Sequence, residues 1–111
     1  MILFAIHYAL DMSSKSYTLL LSAEDYLFVE FESLKGNIQK FVIQYYFIFK
    51  GEWKVVLRID NRHGTIHKHV FHLHSQEVKI LLNGTNSEML NEYKNYITVN
   101  FIKIRDNYLN T

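Results

Sequence analysis

From Tyr26 to Glu32 the side chains alternate, with Tyr26, Phe28 and Glu30 on one side and Leu27, Val29 and Phe31 on the other, the period-two pattern of a strand. Lys35-Gly36-Asn37 then reads as a turn. Phe41 to Phe49 is a nearly continuous β-branched and aromatic run, the pattern of a strand covered on both faces. Lys50-Gly51 turns the chain again. Trp53, Val55, Leu57 and Ile59 alternate with Lys54, Val56, Arg58 and Asp60, which predicts a half-buried strand. Asn61 to Gly64 is a further turn, and Ile66 to His74 alternates as the next strand. The centre therefore reads as an antiparallel meander of about four strands joined by short loops.

The period changes in the C-terminal third. Leu90, Tyr93, Ile97, Phe101, Ile104 and Tyr108 recur at steps of three and four, one face of an α-helix. Thr85-Asn86-Ser87-Glu88 forms a candidate capping box at its start. Ile97-Thr98-Val99 and Phe101-Ile102 favour strand, so a break near residue 97 is expected. In segment 12–24, Tyr17, Leu20 and Leu21 at helical spacing predict a short helix. The first ten residues carry no assignable pattern. The expected fold is α+β: an antiparallel sheet of about four strands, with a C-terminal helix and a short N-terminal helix packed on one face.

Composition narrows the class. A chain of 111 residues is the size of one domain, here 1–111, and at 49% apolar it can bury one core. There is no cysteine, hence no disulfide and no thiolate chemistry, and a metal would have to be held by His, Asp or Glu. No apolar run approaches the ~20 residues that span a bilayer. Met1-Ile-Leu-Phe-Ala-Ile is apolar but lacks the basic flank and small-residue cleavage site of a signal peptide. These features predict a cytoplasmic protein with no membrane partner. The net charge of +1 is unevenly spread. Residues 1–34 hold one Lys against five Asp/Glu, whereas residues 35–79 hold eight Lys/Arg against three Asp/Glu. A basic middle suits an anionic ligand such as RNA.

That basic middle contains five of the six histidines, His63, His67, His69, His72 and His74, within twelve residues. Histidine accepts or donates a proton near neutral pH and binds metals. With a four-residue loop, Asp60 pairs with Thr65, so Arg58 faces His67, Val56 faces His69, and Lys54 faces Phe71. Lys54, Arg58, Asp60, His67 and His69 then share one face, while Trp53, Val55, Leu57, Ile59, Ile66 and Val70 form the opposite, core face. A five-residue loop would instead set Arg58 beside Lys68 and His72. His72 and His74 read as surface residues of an edge strand. Tyr45, Tyr46, Phe47 and Phe49 could stack bases, although a core strand is the better reading.

Arg58-Ile59-Asp60-Asn61-Arg62-His63, followed by His67-Lys68-His69, resembles the signature of the TumE-type toxins of bacterial and archaeal toxin–antitoxin systems. The resemblance spans about residues 24–109, and its specific part is residues 58–69. Residues 60–69 are also similar to a small family sharing Asp-Asn-x-His-Gly-x-x-His-x-His, which has no known function. The first resemblance implies a toxin acting on RNA, paired with a cognate antitoxin of helix-turn-helix type; an oligomer is compatible with it.

The residues allow metal-independent RNA cleavage. His67 and His69 can supply base and acid, and Arg58 can hold phosphate oxygens. Asp60 can orient an imidazole. His67, His69, Arg58 and Asp60 are thus the candidate catalytic residues, and Arg62, His63, Lys54 and Lys68 the candidate substrate-binding residues, with no cofactor. Facing Arg58 would make His67 the better base and His69 the better acid. A second reading has His63, His67 and His69 binding zinc for metal-assisted hydrolysis. A third is a small binding protein with no catalysis. Each site residue also has an ordinary role open to it: exposed strand histidines, an Arg58–Asp60 ion pair, and turn-forming Asp60-Asn61.

Overall fold

The computed structural model describes residues 12–111, so the signal-peptide question at Met1–Ile6 lies outside the described residues. Six strands, β1 (Met12–Leu20), β2 (Asp25–Leu34), β3 (Asn37–Phe49), β4 (Glu52–Asp60), β5 (His67–Val70) and β6 (Val78–Leu81), lie side by side in chain order, every neighbouring pair antiparallel. The helix α1 (Asn86–Asn110) follows them. The expected fold of about four strands with an N-terminal helix is thereby overturned. Residues 12–20 form an edge strand rather than a helix. Tyr17, Leu19 and Leu21, spaced by two, pack against the core, while Ser14, Ser16 and Thr18 between and before them are exposed. The ladder to β2 runs the whole length of the segment and pairs the backbone groups that point toward β2. β6 escapes the sequence pattern because all four of its residues are exposed.

Two hairpins close in the same way. Lys35 and Gly36 (φ 51° and 80°) join Leu34 to its partner Asn37, and Lys50 and Gly51 (φ 52° and 78°) join Phe49 to Glu52. Two consecutive left-handed residues match the right-handed twist of paired strands, and glycine takes the second place without a Cβ penalty.

Two bulges then decide which side each residue faces. Gln39 of β3 has no partner between the Glu32–Lys40 and Ser33–Ile38 pairs. Val56 of β4 has none between Tyr45–Leu57 and Tyr46–Val55. An unpaired extra residue reverses the alternation beyond it. From Val56 back to the start of β4, Val55 and Trp53 therefore turn to the face away from α1, and Lys54 turns toward it. This corrects the sequence reading, which put Trp53 and Val55 in the core and Lys54 with the histidines. Trp53 is 58% exposed.

One face of the sheet is covered. Leu27, Val29, Phe41, Ile43, Tyr45, Phe47, Leu57 and Ile59 are buried there with Leu90, Ile97 and Tyr108 of α1. Phe101 meets Tyr45 edge-on, and Tyr108 meets Phe47 likewise. Each such buried side chain contributes about 1.5–3 kcal/mol. The expected break at residue 97 does not occur: Ile97 is fully buried and the helix runs 25 residues, because packing on the sheet outweighs the weak strand preference of its β-branched residues. Thr85 caps it by accepting the Glu88 N–H at 3.1 Å. β3 is covered on this face only. Val42, Gln44, Tyr46 and Ile48 on its other face are half-buried. Among the described residues no helix is long and apolar enough to cross a membrane.

Candidate functional site

The site grows from the hairpin of β4 and β5. Its loop holds six residues, 61–66, rather than four, because Asp60 pairs with His67 and Arg58 with His69. The pairing is offset by two from the expected one. A two-residue offset keeps every side chain on its face. Arg58, Asp60, His67 and His69 thus share the face away from α1, but Arg58 faces His69, not His67. Val56 does not face His69, and Lys54 does not face Phe71. The contrast of His67 as base and His69 as acid, built on Arg58 facing His67, loses its footing.

His69 is the organised imidazole. It is 7% exposed. Its Nε2 lies 3.5 Å from Asp60 Oδ2 and its Nδ1 lies 3.3 Å from Glu77 Oε2. A carboxylate thus stands at each ring nitrogen. Phe71 stacks on the ring at 6.4 Å, and the Arg58 guanidinium lies 5.6 Å from the centre of the Phe71 ring. Arg58 donates from Nε to Asp60 Oδ2 at 3.1 Å, and its side chain is one-quarter exposed. The other Asp60 oxygen accepts the Arg62 N–H at 3.0 Å. Burial acts to raise the Asp60 pKa, but the Arg62 N–H, His69 and Arg58 together outweigh it and hold the carboxyl below its ordinary range.

His67 is half-buried, beside Thr65, whose hydroxyl lies 3.4 Å from its Nδ1, and its ring centre is 6.4 Å from that of His69. Arg62 and His63 project from the exposed loop. Lys54 and Lys68 do not join the group. Lys54 pairs with Glu52 at 3.0 Å, and Lys68 lies over the Tyr93 ring of α1, both on the covered face. His72 and His74 lie in the β5–β6 loop rather than on an edge strand; His72 Nδ1 is 3.0 Å from the Gln76 carbonyl. Both His69 nitrogens face carboxylates while His63 stands on the exposed loop, and among the described residues no group of three or more His, Asp or Glu side chains is placed to hold a metal.

Asn61 is a structural rivet. Its side chain accepts the Phe41 N–H at 3.0 Å and donates to Gln39 O at 2.9 Å, closing the backbone beside the Gln39 bulge. It also donates to Asn86 Oδ1, while Asn86 donates to Ile38 O. The start of α1 is thereby tied to the site loop.

Two features escaped the sequence reading. Glu77 reaches His69 from across a loop, and no spacing rule signals that. Asp25, fully buried, accepts from Ser22 and Tyr45 hydroxyls and from Arg105 Nη1 at 2.8 Å. Burial first, then the hydrogen bond to Asp25, push the Tyr45 hydroxyl well above its ordinary pKa. This buried network joins β2, β3 and α1, on the covered face. Its partners Tyr45 and Arg105, twenty and eighty residues away in sequence, distinguish Asp25 from a turn residue.

No curated protein and no solved structure matches the chain. The model of the family described as a domain of unknown function, DUF7718, matches residues 12–111, which hold all six strands, the Asp60–His69 hairpin and α1, and the chain belongs to that family.

Proposed function

We propose that the face of the sheet away from α1 binds RNA and cleaves it, and that the protein is the toxin of a toxin–antitoxin pair in the cytoplasm. The observation that carries the reading is the shared placement of Arg58, His67 and the carboxylate-flanked His69 on one face of a basic hairpin. It joins the resemblance of residues 58–69 to the TumE-type signature, which supplies the cognate helix-turn-helix antitoxin as partner.

The chemistry divides by accessibility. His67 removes the proton from a ribose 2′-hydroxyl, the 2′-oxygen attacks phosphorus, and the 5′-oxygen leaves with a proton from solvent. Arg58 spends Nε on Asp60 and offers its remaining donors to the phosphate oxygens, where negative charge gathers in the transition state. His69 has a carboxylate at each nitrogen and is a positioning residue: it holds Asp60, which aims Arg58. Arg62 and His63, on the exposed loop, meet the RNA backbone.

On this reading, expression without the antitoxin should arrest bacterial growth with loss of intact RNA, and the purified protein should cleave RNA in the presence of EDTA. One proton acceptor predicts a rate that rises with pH through a single apparent pKa and then levels. His67→Ala loses about 100-fold or more of the rate, the usual worth of a positioned base. Arg58→Lys also loses activity, because it keeps the charge but not the planar fork. Normal growth at high protein levels with intact RNA overturns the reading. A bell-shaped profile whose alkaline limb vanishes in His69→Gln would instead make His69 the acid.

A further inference from the structure

The bulge at Val56 builds a second feature on the same face. Tyr26 and Tyr46 stack with ring centres 5.5 Å apart, and Trp53 meets both edge-on at 5.1 and 5.2 Å. Gln44, Tyr46, Trp53 and Val55 line a shallow depression of about 310 Å³. A core aromatic cluster would be closed, yet Trp53 is 58% exposed.

The cross-strand pairs arrange this face in rows. One row runs Tyr26, Tyr46, Val55. The next runs Phe28, Gln44, Arg58, His69, Lys79, with three basic side chains and no carboxylate. The row beyond it holds Glu30, Val42, Asp60 and His67. Along β3, Tyr46 and Gln44 are two residues or about 7 Å apart, so an aromatic platform sits one step from the guanidinium. Of the acidic residues of this face, Glu30 and Asp60 lie on the far side of that basic row, and Glu77 meets the row at His69, two strands from Gln44.

From this juxtaposition of the Tyr26–Tyr46–Trp53 cluster with the Arg58 row we infer a base-stacking subsite for single-stranded RNA. A base settles on Trp53 and Tyr46, Gln44 offers it a donor and an acceptor, and its phosphate points toward Arg58. Every base has a π-face, so the subsite selects for unpaired RNA more than for sequence. In a duplex the bases are stacked on one another and cannot reach the rings. The inference rests on the RNA reading above and gives it a substrate class.

Trp53 is the sole tryptophan of the chain, so its fluorescence reports the subsite directly. The probe is a 2′-O-methyl oligouridylate of about eight nucleotides, within the usual site size of single-strand binders. It lacks the attacking hydroxyl and stays intact. Titration should quench Trp53 in the wild-type protein, while the corresponding 2′-O-methyl duplex should not. Tyr46→Ala should weaken the quench titration by about tenfold, and Trp53→Ala should weaken binding, read by probe anisotropy, by a similar factor. Both side chains lie outside the buried core, and circular dichroism checks that each variant is folded. Equal binding by the duplex, unchanged affinity in Trp53→Ala, or no quench by RNA but a change on adding a co-purified protein partner would each overturn the subsite. The two readings fail separately. Cleavage with a silent Trp53 leaves the nuclease without the subsite, and quenching without cleavage leaves the subsite on a protein that binds RNA but does not cut it.

Discussion

Asp60 shows how much one side chain carries. Its carboxylate meets Arg58, His69 and the Arg62 N–H, and together they lower its pKa against the opposing effect of burial. A folded pKa below the unfolded value of about 4 means that the contribution to stability is present above that pH and is lost as pH falls through the folded pKa. Asp60→Asn removes the charge while leaving an oxygen for the Arg62 N–H. It should cost about 2 kcal/mol at neutral pH, the scale of hydrogen bonds to charged groups, and it should flatten the acid side of the stability curve. Urea midpoints across the acid range, from about pH 2 to pH 7, measure both. An unchanged acid slope would mean that other carboxylates set the acid limit. Histidines at 67 and 69 are plain in the sequence, and their common face survives any even offset of the hairpin. Their different environments are not legible there, since Glu77 and Phe71 reach His69 only through the fold.

At the scale of elements, the β4–β5 hairpin works because β3 anchors its loop. Asn61 fills the hydrogen-bonding gap beside the Gln39 bulge, so a residue type that turns favour is here a cross-strand brace. Asn61→Ala leaves the Phe41 N–H and the Gln39 carbonyl without their partner. A loss of about 1 kcal/mol is expected, the net worth of ordinary hydrogen bonds, since the exposed Gln39 carbonyl can turn to water while the part-buried Phe41 N–H loses its acceptor. Thermal melting of the variant tests the size, and hydrogen exchange tests the place: protection should fall at Phe41 and in the 61–66 loop before it falls in β2. A loss of RNA cleavage without any loss of stability would instead give Asn61 a part in the chemistry. The bulge at Val56 is the other element-scale decision. Alternation across Trp53–Asp60 is interrupted only by the apolar run Val55-Val56-Leu57, which does not by itself say that Val56 goes unpaired against Tyr45 and Tyr46. That single extra residue moves Trp53 out of the core and onto the face of the histidines.

For the whole molecule, the docking of α1 on the sheet has an apolar part and an ionic part. Asp25 ties Arg105 of α1 to Tyr45 of β3, all around a carboxylate closed from solvent. Asp25→Ala should cost about 3 kcal/mol, the low end for breaking a buried pair because Arg105 keeps some contact with water. The Tyr45 hydroxyl has its folded pKa raised, by burial first and by Asp25 next. Its contribution to stability is therefore complete below the unfolded value of about 10 and is lost as pH rises toward the folded one. Tyr45→Phe should lose stability at neutral pH yet become less sensitive to alkali, as followed by urea unfolding above about pH 9. Equal alkaline sensitivity in the variant would assign that limit to other tyrosines.

What the sequence determined by itself are the features carried by local periodicity and local backbone preference. These are the alternation of β2 and of β4 from Leu57 to Asp60, the Lys-Gly turns that accept two left-handed residues, the three-and-four spacing of Leu90 to Tyr108, and the grouping of Arg58, Asp60, His67 and His69 on one side. Only the tertiary structure decided the rest. Residues 12–20 became a strand because β2 offered a ladder, and a short, mostly polar segment takes the conformation that satisfies its backbone. β6 pairs with β5 although no residue of it is buried, so no pattern could announce it. The hairpin loop grew from four residues to six, and Arg58 came opposite His69, because register follows from what each face buries against its neighbours. The enclosure of His69 by Asp60, Glu77 and Phe71 belongs to the same class of fact, a meeting of distant residues that no local pattern records.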